Sequence, residues 1–143
     1  MAHRPFLSLA LMATATASCV GAARAHHSPA LLYRVDQTIS IEGVVTEYRF
    51  INPHVRLFLD VARADGATDS WLAEGGTRAV LLRRGWDGSE ITPGEVVRII
   101  GNPSRDGTPL VHWISIVLPS GKELASEDLD PAELERRRQR VAP

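Results

Sequence analysis

Histidine is the residue type whose placement in this chain best suits chemistry. Apart from His3, the chain holds His26, His27, His54 and His112. His26 and His27 directly follow a small-residue segment typical of a secretory cleavage site, so a new N-terminus is expected beside them. An N-terminal histidine can chelate a metal through its amine and its ring, and such nitrogen ligands favour Cu(II). The pair therefore predicts a site for copper or a similar late transition metal.

The segment that would create this terminus has the three parts of a signal peptide. A short basic start precedes an apolar run from Phe6 to about Val20, and small residues continue to Ala25. Ala23 and Ala25 occupy the small-residue positions of an A-x-A site, which predicts cleavage after residues 1–25 and a periplasmic or secreted protein. The apolar run is shorter than the roughly 20 residues that span a bilayer, so no transmembrane segment is expected.

Cleavage after Ala23 is an alternative that also suits a metal. The mature chain would then begin Arg24-Ala25-His26. A chain with histidine in third position can coordinate Cu(II) or Ni(II) in a square plane. The ligands are the terminal amine, two deprotonated amides and the histidine ring. Either terminus therefore predicts metal binding, and the competing interpretation is a histidine pair that is merely tolerated after a cleavage site.

The remaining composition excludes other classes of protein. The one cysteine, Cys19, lies in the leader, and Thr16 stands where a lipid-anchor motif needs Leu, Val or Ile, so apolar filling is favoured over lipidation. The mature chain can form no disulfide and no thiolate metal site. About 118 residues remain, enough for one domain with a real core. Their net charge of about −3 does not suit nucleic-acid binding.

His54 is the expected third metal ligand. It follows Asn52-Pro53 in a predicted turn between two strands, where a rigid element can present a side chain. The segment from 27 to 37 spans up to roughly 35 Å when extended, so the N-terminus can reach that turn. A solvated turn histidine is the alternative.

His112 and Glu74 are weaker candidates for the same site. His112 shares its strand parity with Leu110, Ile114 and Ile116, which predicts that it faces inward as a satisfied core histidine. Glu74 ends a predicted strand and could orient a histidine ring as a second-layer carboxylate, or simply lie on the surface.

Catalytic motifs are missing from the chain. It contains no G-x-S-x-G, P-loop, G-x-G-x-x-G or H-E-x-x-H pattern. We therefore expect a non-catalytic periplasmic binding protein that chelates copper. The alternatives are a metal-free module that binds a small molecule or a partner protein, and a copper-dependent oxidase. The first predicts indifference to metal, and the second predicts consumption of oxygen or reductant.

The residues that would position these histidines follow a β pattern. β-Branched and aromatic residues predict a long first strand, with a parity change at Gly43 that indicates a bulge or kink. Clean alternation marks the second strand. Thr77 is a candidate N-cap of a short helix that ends before Gly85. The five predicted strands are Thr38–Phe50, Val55–Val61, Ser70–Glu74, Glu95–Gly101 and Leu110–Leu118.

This βββαββ order predicts an all-β protein, a five-stranded OB-like Greek-key barrel with small α content. A five-stranded meander with a stray helix is the alternative. The predicted divisions are the signal peptide 1–25, a lead segment 26–37, the OB-like domain 38–124 and a charged helical tail 125–143. In the tail Asp130-Pro131 caps a helix. Its arginine run is interpreted as a solvated face, with adhesion to an anionic surface as the alternative.

Several short motifs together resemble a known family. They are His26-His27-Ser28 at the mature start, Asn52-Pro53-His54, Arg84-Gly85-Trp86, and Pro93-Gly94-Glu95 followed by Gly101-Asn102-Pro103. The combination resembles a family of exported bacterial proteins of unknown function, over about His26 to Glu123. The resemblance implies a periplasmic setting and a small β domain, and it implies no activity or ligand. The basic tail lies outside it.

Overall fold

The computed structural model describes residues 29–126 and 130–141. Within them, β-branched and apolar runs form strands and two capped segments form helices. A 3₁₀ turn at Pro29–Leu31 precedes them. The strands are β1 (Ile39–Arg49), β2 (Arg56–Ala62), β3 (Thr68–Glu74), β4 (Val96–Pro103), β5 (Leu110–Val117) and β6 (Glu123–Ala125), and the helices are α1 (Arg78–Arg83) and α2 (Pro131–Gln139).

The strands close into a barrel. They are hydrogen-bonded in the order β3-β2-β1-β4-β5-β6, and an additional parallel pairing joins β3 to β5. Five strands therefore complete the ring, while β6 pairs with β5 outside it. With α1 between β3 and β4, this is the arrangement of an OB-like barrel. The predicted all-β, five-stranded OB-like fold is confirmed, and β6 is an addition that the sequence pattern did not predict.

The long first strand, β1, pairs with two neighbouring strands. Its first half pairs with β4 from Ile39 to Val44, and its second half pairs with β2 from Val44 to Arg49. The predicted irregularity is present, but the register shift lies between Val45 and Glu47 rather than at Gly43. Gly43 has a different role, because a Cβ there would lie 2.7 Å from the Asp60 carbonyl oxygen on β2. Glycine therefore permits the close approach of the two strands.

The core fills the barrel with inward-facing side chains. Alternate residues of β2, including Leu57 and Leu59, are fully buried, as the alternation predicts. Trp113 on β5 is completely buried, and Trp86 stacks against it with 5.5 Å between ring centroids. Both tryptophans are therefore packing residues of the core. A Cβ at Gly75 would overlap the Trp113 indole, so the chain after β3 can pass this ring only as glycine.

Helix α1 closes one side of the core through Leu81, which is fully buried. The Thr77 side chain accepts a hydrogen bond from the Val80 N–H at 3.2 Å, so Thr77 is the N-cap that the sequence predicts. Gly85 follows the helix with φ of 84°, the left-handed conformation that glycine adopts freely.

Helix α2 packs beside β6 and the start of β1. Its N-cap is Asp130, as predicted. Arg138 forms an ion pair with Glu123 of β6, and Val141 forms a β-bridge with Thr38. In the part of the chain that the structure describes, neither helix has the length and apolar character needed to cross a membrane.

Candidate functional site

A cavity of about 250 Å³ lies between the N-terminal segment 29–33 and the outer face of the barrel. The strand residues around it alternate with core residues, because Leu57, Ala73, Val111 and Trp113 point inward. One wall is apolar and the other carries titratable side chains. The lining residues are Pro29, Leu31, Leu32 and Tyr33 from the segment, and His54, Glu74 and His112 from the barrel.

Strand register brings the polar residues together. Arg56 on β2 pairs with Glu74 on β3, and Glu74 pairs in turn with His112 on β5. Residues in register on neighbouring strands share one face of a sheet. Glu74 is therefore the middle member of a row that crosses three strands. His54 lies two residues before Arg56, in the loop that leads into β2.

The ring of His54 is held in a defined tautomer. Its Nδ1 lies 3.1 Å from the Gly75 carbonyl oxygen. Because a carbonyl oxygen only accepts, Nδ1 must carry the hydrogen, and the lone pair of the neutral ring lies on Nε2. Metal-ligating histidines are held by a hydrogen bond of this kind on the other ring nitrogen. The His54 side chain is 42% exposed, which leaves it accessible to a ligand.

Glu74 lies beside this hydrogen bond. Its Oε1 is 3.7 Å from Nδ1 of His54, and its Oε2 accepts a hydrogen bond from Nε of Arg56 at 3.2 Å. Only 18% of the Glu74 side chain is exposed. The carboxylate thus lies between a guanidinium that donates to it and an imidazole that it approaches. Its role in orienting the histidine ring stays a prediction.

His112 does not face the core, and the prediction of an inward-facing core histidine is wrong. Gly101 of β4 opposes Trp113, whereas the preceding residue Ile100 opposes Ser115, so Ile114 is an extra residue in β5. Such a bulge reverses the alternation. The inward residues before it are Val111 and Trp113, and His112 lies on the outer face.

Tyr33 covers His112 from the other side of the cavity. The two ring centroids are 5.2 Å apart with an interplanar angle of 47°. Tyr33 is only 3% exposed. Burial, with a smaller effect of the Glu74 carboxylate, raises the pKa of Tyr33 to about 12. The phenol therefore stays protonated at neutral pH.

Hydrogen bonds join the segment that contains Tyr33 to the end of β4 and to the connection between β4 and β5. The Arg34 N–H donates to the Pro103 carbonyl at 2.9 Å, and the Arg105 N–H donates to the Leu32 carbonyl at 2.9 Å. Nε of Arg105 donates to the Ala30 carbonyl at 2.7 Å. These bonds hold Pro29 at the rim of the cavity.

The structure thus unites three of the five predicted site residues, His54, Glu74 and His112. The other two, His26 and His27, lie outside the described residues, as does the predicted leader. Among the described residues, no three His, Cys, Asp or Glu side chains form a group that could hold a metal ion. A metal bound here would therefore need a further donor from elsewhere.

Two groups of residues at or beside the cavity were not predicted from the sequence. Leu31, Leu32 and Tyr33 lie in the lead segment, which has neither strand nor helix periodicity, so no pattern indicated their position. Arg56 lies on β2, and the sequence pattern indicated no role for it at the site. A cross-strand pairing of Arg56 with Glu74 needs the register, which a single sequence does not provide.

Comparison with models of known protein families gives a match. A family model described as a family of unknown function (DUF6152) matches residues 14–110. The matched stretch contains His26, His27, His54 and Glu74, whereas His112 lies two residues beyond its end. None of the curated proteins matches this chain in sequence.

Proposed function

Because the chain belongs to the DUF6152 family, whose function is unknown, we propose a function from the site itself: an exported, non-catalytic protein that binds copper. Its ligands for Cu(II), or for a similar late transition metal, would be His26, His27 and His54. The observation that carries the proposal is the hydrogen bond from Nδ1 of His54 to the Gly75 carbonyl. It orients the ring and leaves the Nε2 lone pair for a metal.

Chain connectivity supports the contribution of the histidine pair. His27 stands two residues before Pro29, and Pro29 lies at the cavity rim. The histidine pair is therefore close in sequence to the rim of the cavity that His54 lines.

The ligand types favour copper over harder metals. Imidazole and amine nitrogens suit late transition metals, and Cu(II) has the highest affinity in the divalent series. The contribution of the amine depends on export, because it exists only after cleavage beside His26. Glu74 would remain behind the His54 ring, away from the metal.

The apolar wall favours one other candidate function. Leu31 and Leu32 are 71% and 62% exposed beside the cavity. A concave site with an apolar wall and a few convergent polar groups is typical of small-molecule binding. A metal-free module that binds a small, mostly apolar molecule would use the same cavity and would be indifferent to copper.

The experiment combines intact mass with Cu(II) calorimetry on protein that is expressed in a periplasm and processed naturally. We expect a mature chain that starts at His26 and binds one Cu(II). His26→Ala and His54→Ala should each weaken binding at least about tenfold. Asn52→Ala, an exposed position in the same loop as His54, is the matched control and should leave the affinity unchanged.

Two results would contradict the copper site. Absence of binding heat in correctly processed protein would favour the metal-free module. Unchanged affinity in both histidine variants would show that copper binds elsewhere on the chain. Ligand screening by thermal shift on the metal-free protein, with Leu32→Ser as the test of the apolar wall, would then follow.

A further inference from the structure

The cavity between residues 29–33 and the barrel has an apolar wall that plays no part in copper binding. Leu31 and Leu32 are strongly exposed on this wall, and Pro29 lies beside them at the rim. Apolar surface of this kind is stabilised when a ligand removes it from water. The volume of about 250 Å³ is slightly below the roughly 300–1,000 Å³ of pockets for drug-sized ligands. The cavity therefore suits a small ligand with an apolar body.

The opposite wall supplies hydrogen-bond acceptors. The His54 ring uses Nδ1 to donate to the Gly75 carbonyl, so Nε2 of the neutral ring accepts. Oε1 of Glu74 lies 3.7 Å from Nδ1, which is beyond hydrogen-bond distance. Because a carboxylate can accept several hydrogen bonds, Glu74 keeps acceptor capacity beyond the bond that Arg56 donates to Oε2. A ligand that donates hydrogen bonds therefore fits this wall.

The charge at the cavity favours a cation over an anion. Among the described residues that line it, Glu74 is the one carboxylate and there is no lysine or arginine. Arg56 offsets part of this negative charge from the side, without lining the cavity. Burial first, and then the Glu74 carboxylate, raise the pKa of the Tyr33 phenol to about 12, so the carboxylate acts across the cavity. A ligand with a positive group complements this charge.

We propose that the cavity binds a small primary amine, with its ammonium group at Glu74 and His54 and its hydrocarbon chain against Leu31 and Leu32. An ammonium group has three donors and no acceptor, which matches a wall of acceptors. Its hydrogen bond to a carboxylate is charge-assisted and therefore stronger than one between neutral groups. This inference rests on the metal-free binding function, the second candidate above, and names its class of ligand. It requires no bound metal.

The test uses naturally processed protein, freed of metal with a chelator, and follows its backbone amide resonances by NMR. The probes are n-hexylamine, 1-hexanol and hexanoate, which share a short hydrocarbon chain and differ in the end group. We expect n-hexylamine to bind at least about tenfold more tightly than 1-hexanol. Hexanoate should bind most weakly, because Glu74 repels its carboxylate. The shifts should be largest at Leu31, Leu32 and His54.

Two substitutions test the two walls separately. Glu74→Gln keeps the side-chain shape and should weaken n-hexylamine binding about tenfold. Unchanged binding of 1-hexanol in the same variant would show that the cavity is still formed. Leu32→Ser should weaken both probes by a similar factor, because it removes apolar contact that they share. Val35→Ser changes an exposed valine of the same segment outside the cavity, so this matched control should alter neither affinity.

The outcomes separate this inference from the functions proposed above. If none of the three probes gives saturable shifts at the cavity, both the inference and the metal-free function are wrong. If 1-hexanol or hexanoate binds as tightly as n-hexylamine, the amine specificity alone is overturned. An unchanged n-hexylamine affinity in Glu74→Gln has the same consequence. Calorimetry with Cu(II) tests the copper function independently, because the amine site needs no metal.

Discussion

Glu74 and His112 face each other in register across the parallel pairing of β3 and β5 that closes the barrel. On its other side Glu74 pairs with Arg56 of β2, whose Nε donates to the carboxylate at 3.2 Å. One carboxylate thus lies between a guanidinium and two imidazoles. Its position on the strand that closes the barrel makes the site a consequence of the topology.

The first prediction concerns this carboxylate. Glu74→Gln keeps the shape of the side chain and removes its charge, so the His54 ring loses its anionic neighbour. We expect Cu(II) affinity to fall by about 10- to 100-fold, as is usual when a group behind a metal ligand is removed. Calorimetry on the processed protein measures the change.

Glu42→Gln is the control for this substitution. Glu42 also pairs with an arginine across two strands, since Arg98 donates to it at 3.0 Å, and both side chains are 56% exposed. The charge change is the same, but an exposed ion pair contributes little. Equal losses of affinity in the two variants would mean that Glu74 acts only through net charge.

The second prediction concerns Gly75, whose carbonyl accepts from His54. Gly75→Ala forces a Cβ against the Trp113 indole, so either the ring or the chain must move. We expect a loss of about 2–3 kcal/mol in the free energy of unfolding, measured in urea, and weaker copper binding. At Gly76 a Cβ would meet only atoms at 3.8 Å or more, so Gly76→Ala should be nearly neutral. Equal effects of the two substitutions would contradict this account.

Much of the fold could be predicted because its elements are specified by residues that are close together in the chain. Examples are the alternation in β2, the N-cap of α1 at Thr77 and the end of α1 before Gly85. The order of these elements then leaves few topologies. The inward side of β2 and the position of α1 followed directly from these patterns.

The site was harder to predict because it depends on long-range pairing. A single extra residue at Ile114 reverses the alternation of β5, so counting back from Ile116 places His112 on the wrong face. Tyr33 lies in a segment without periodicity, and its burial depends on hydrogen bonds to the connection between β4 and β5. Neither effect has a local sequence signal.

The third prediction concerns the packing of α2. The Glu123 side chain is 16% exposed, and its ion pair with Arg138 crosses from β6 to the helix. Arg138→Met leaves a largely buried carboxylate without that cation, which should cost about 1–2 kcal/mol of stability. Arg136→Met is the control, because Arg136 is 55% exposed and pairs with Glu133 within the helix. Its effect should stay below about 0.5 kcal/mol.

The interaction can be isolated with a double variant. If the ion pair causes the loss, Glu123→Gln combined with Arg138→Met should recover part of the stability, because the unpaired charge is gone. Urea denaturation of the four proteins in the cycle measures the coupling. Simple addition of the two single effects would show that α2 packs on β6 without help from this pair.

The last prediction concerns stability at alkaline pH. The pKa of Tyr48 is raised, chiefly by burial and then by the Glu90 carboxylate, to which its hydroxyl donates at 3.4 Å. The folded protein therefore holds this proton more tightly than the unfolded chain does. The stabilisation is complete below the unfolded pKa of about 10 and is lost as the pH rises above it. Tyr48→Phe should flatten the decline in unfolding free energy above about pH 10, and only in part, because Tyr33 also has a raised pKa, about 12. An identical slope in variant and wild type would show that Tyr48 does not carry this pH dependence.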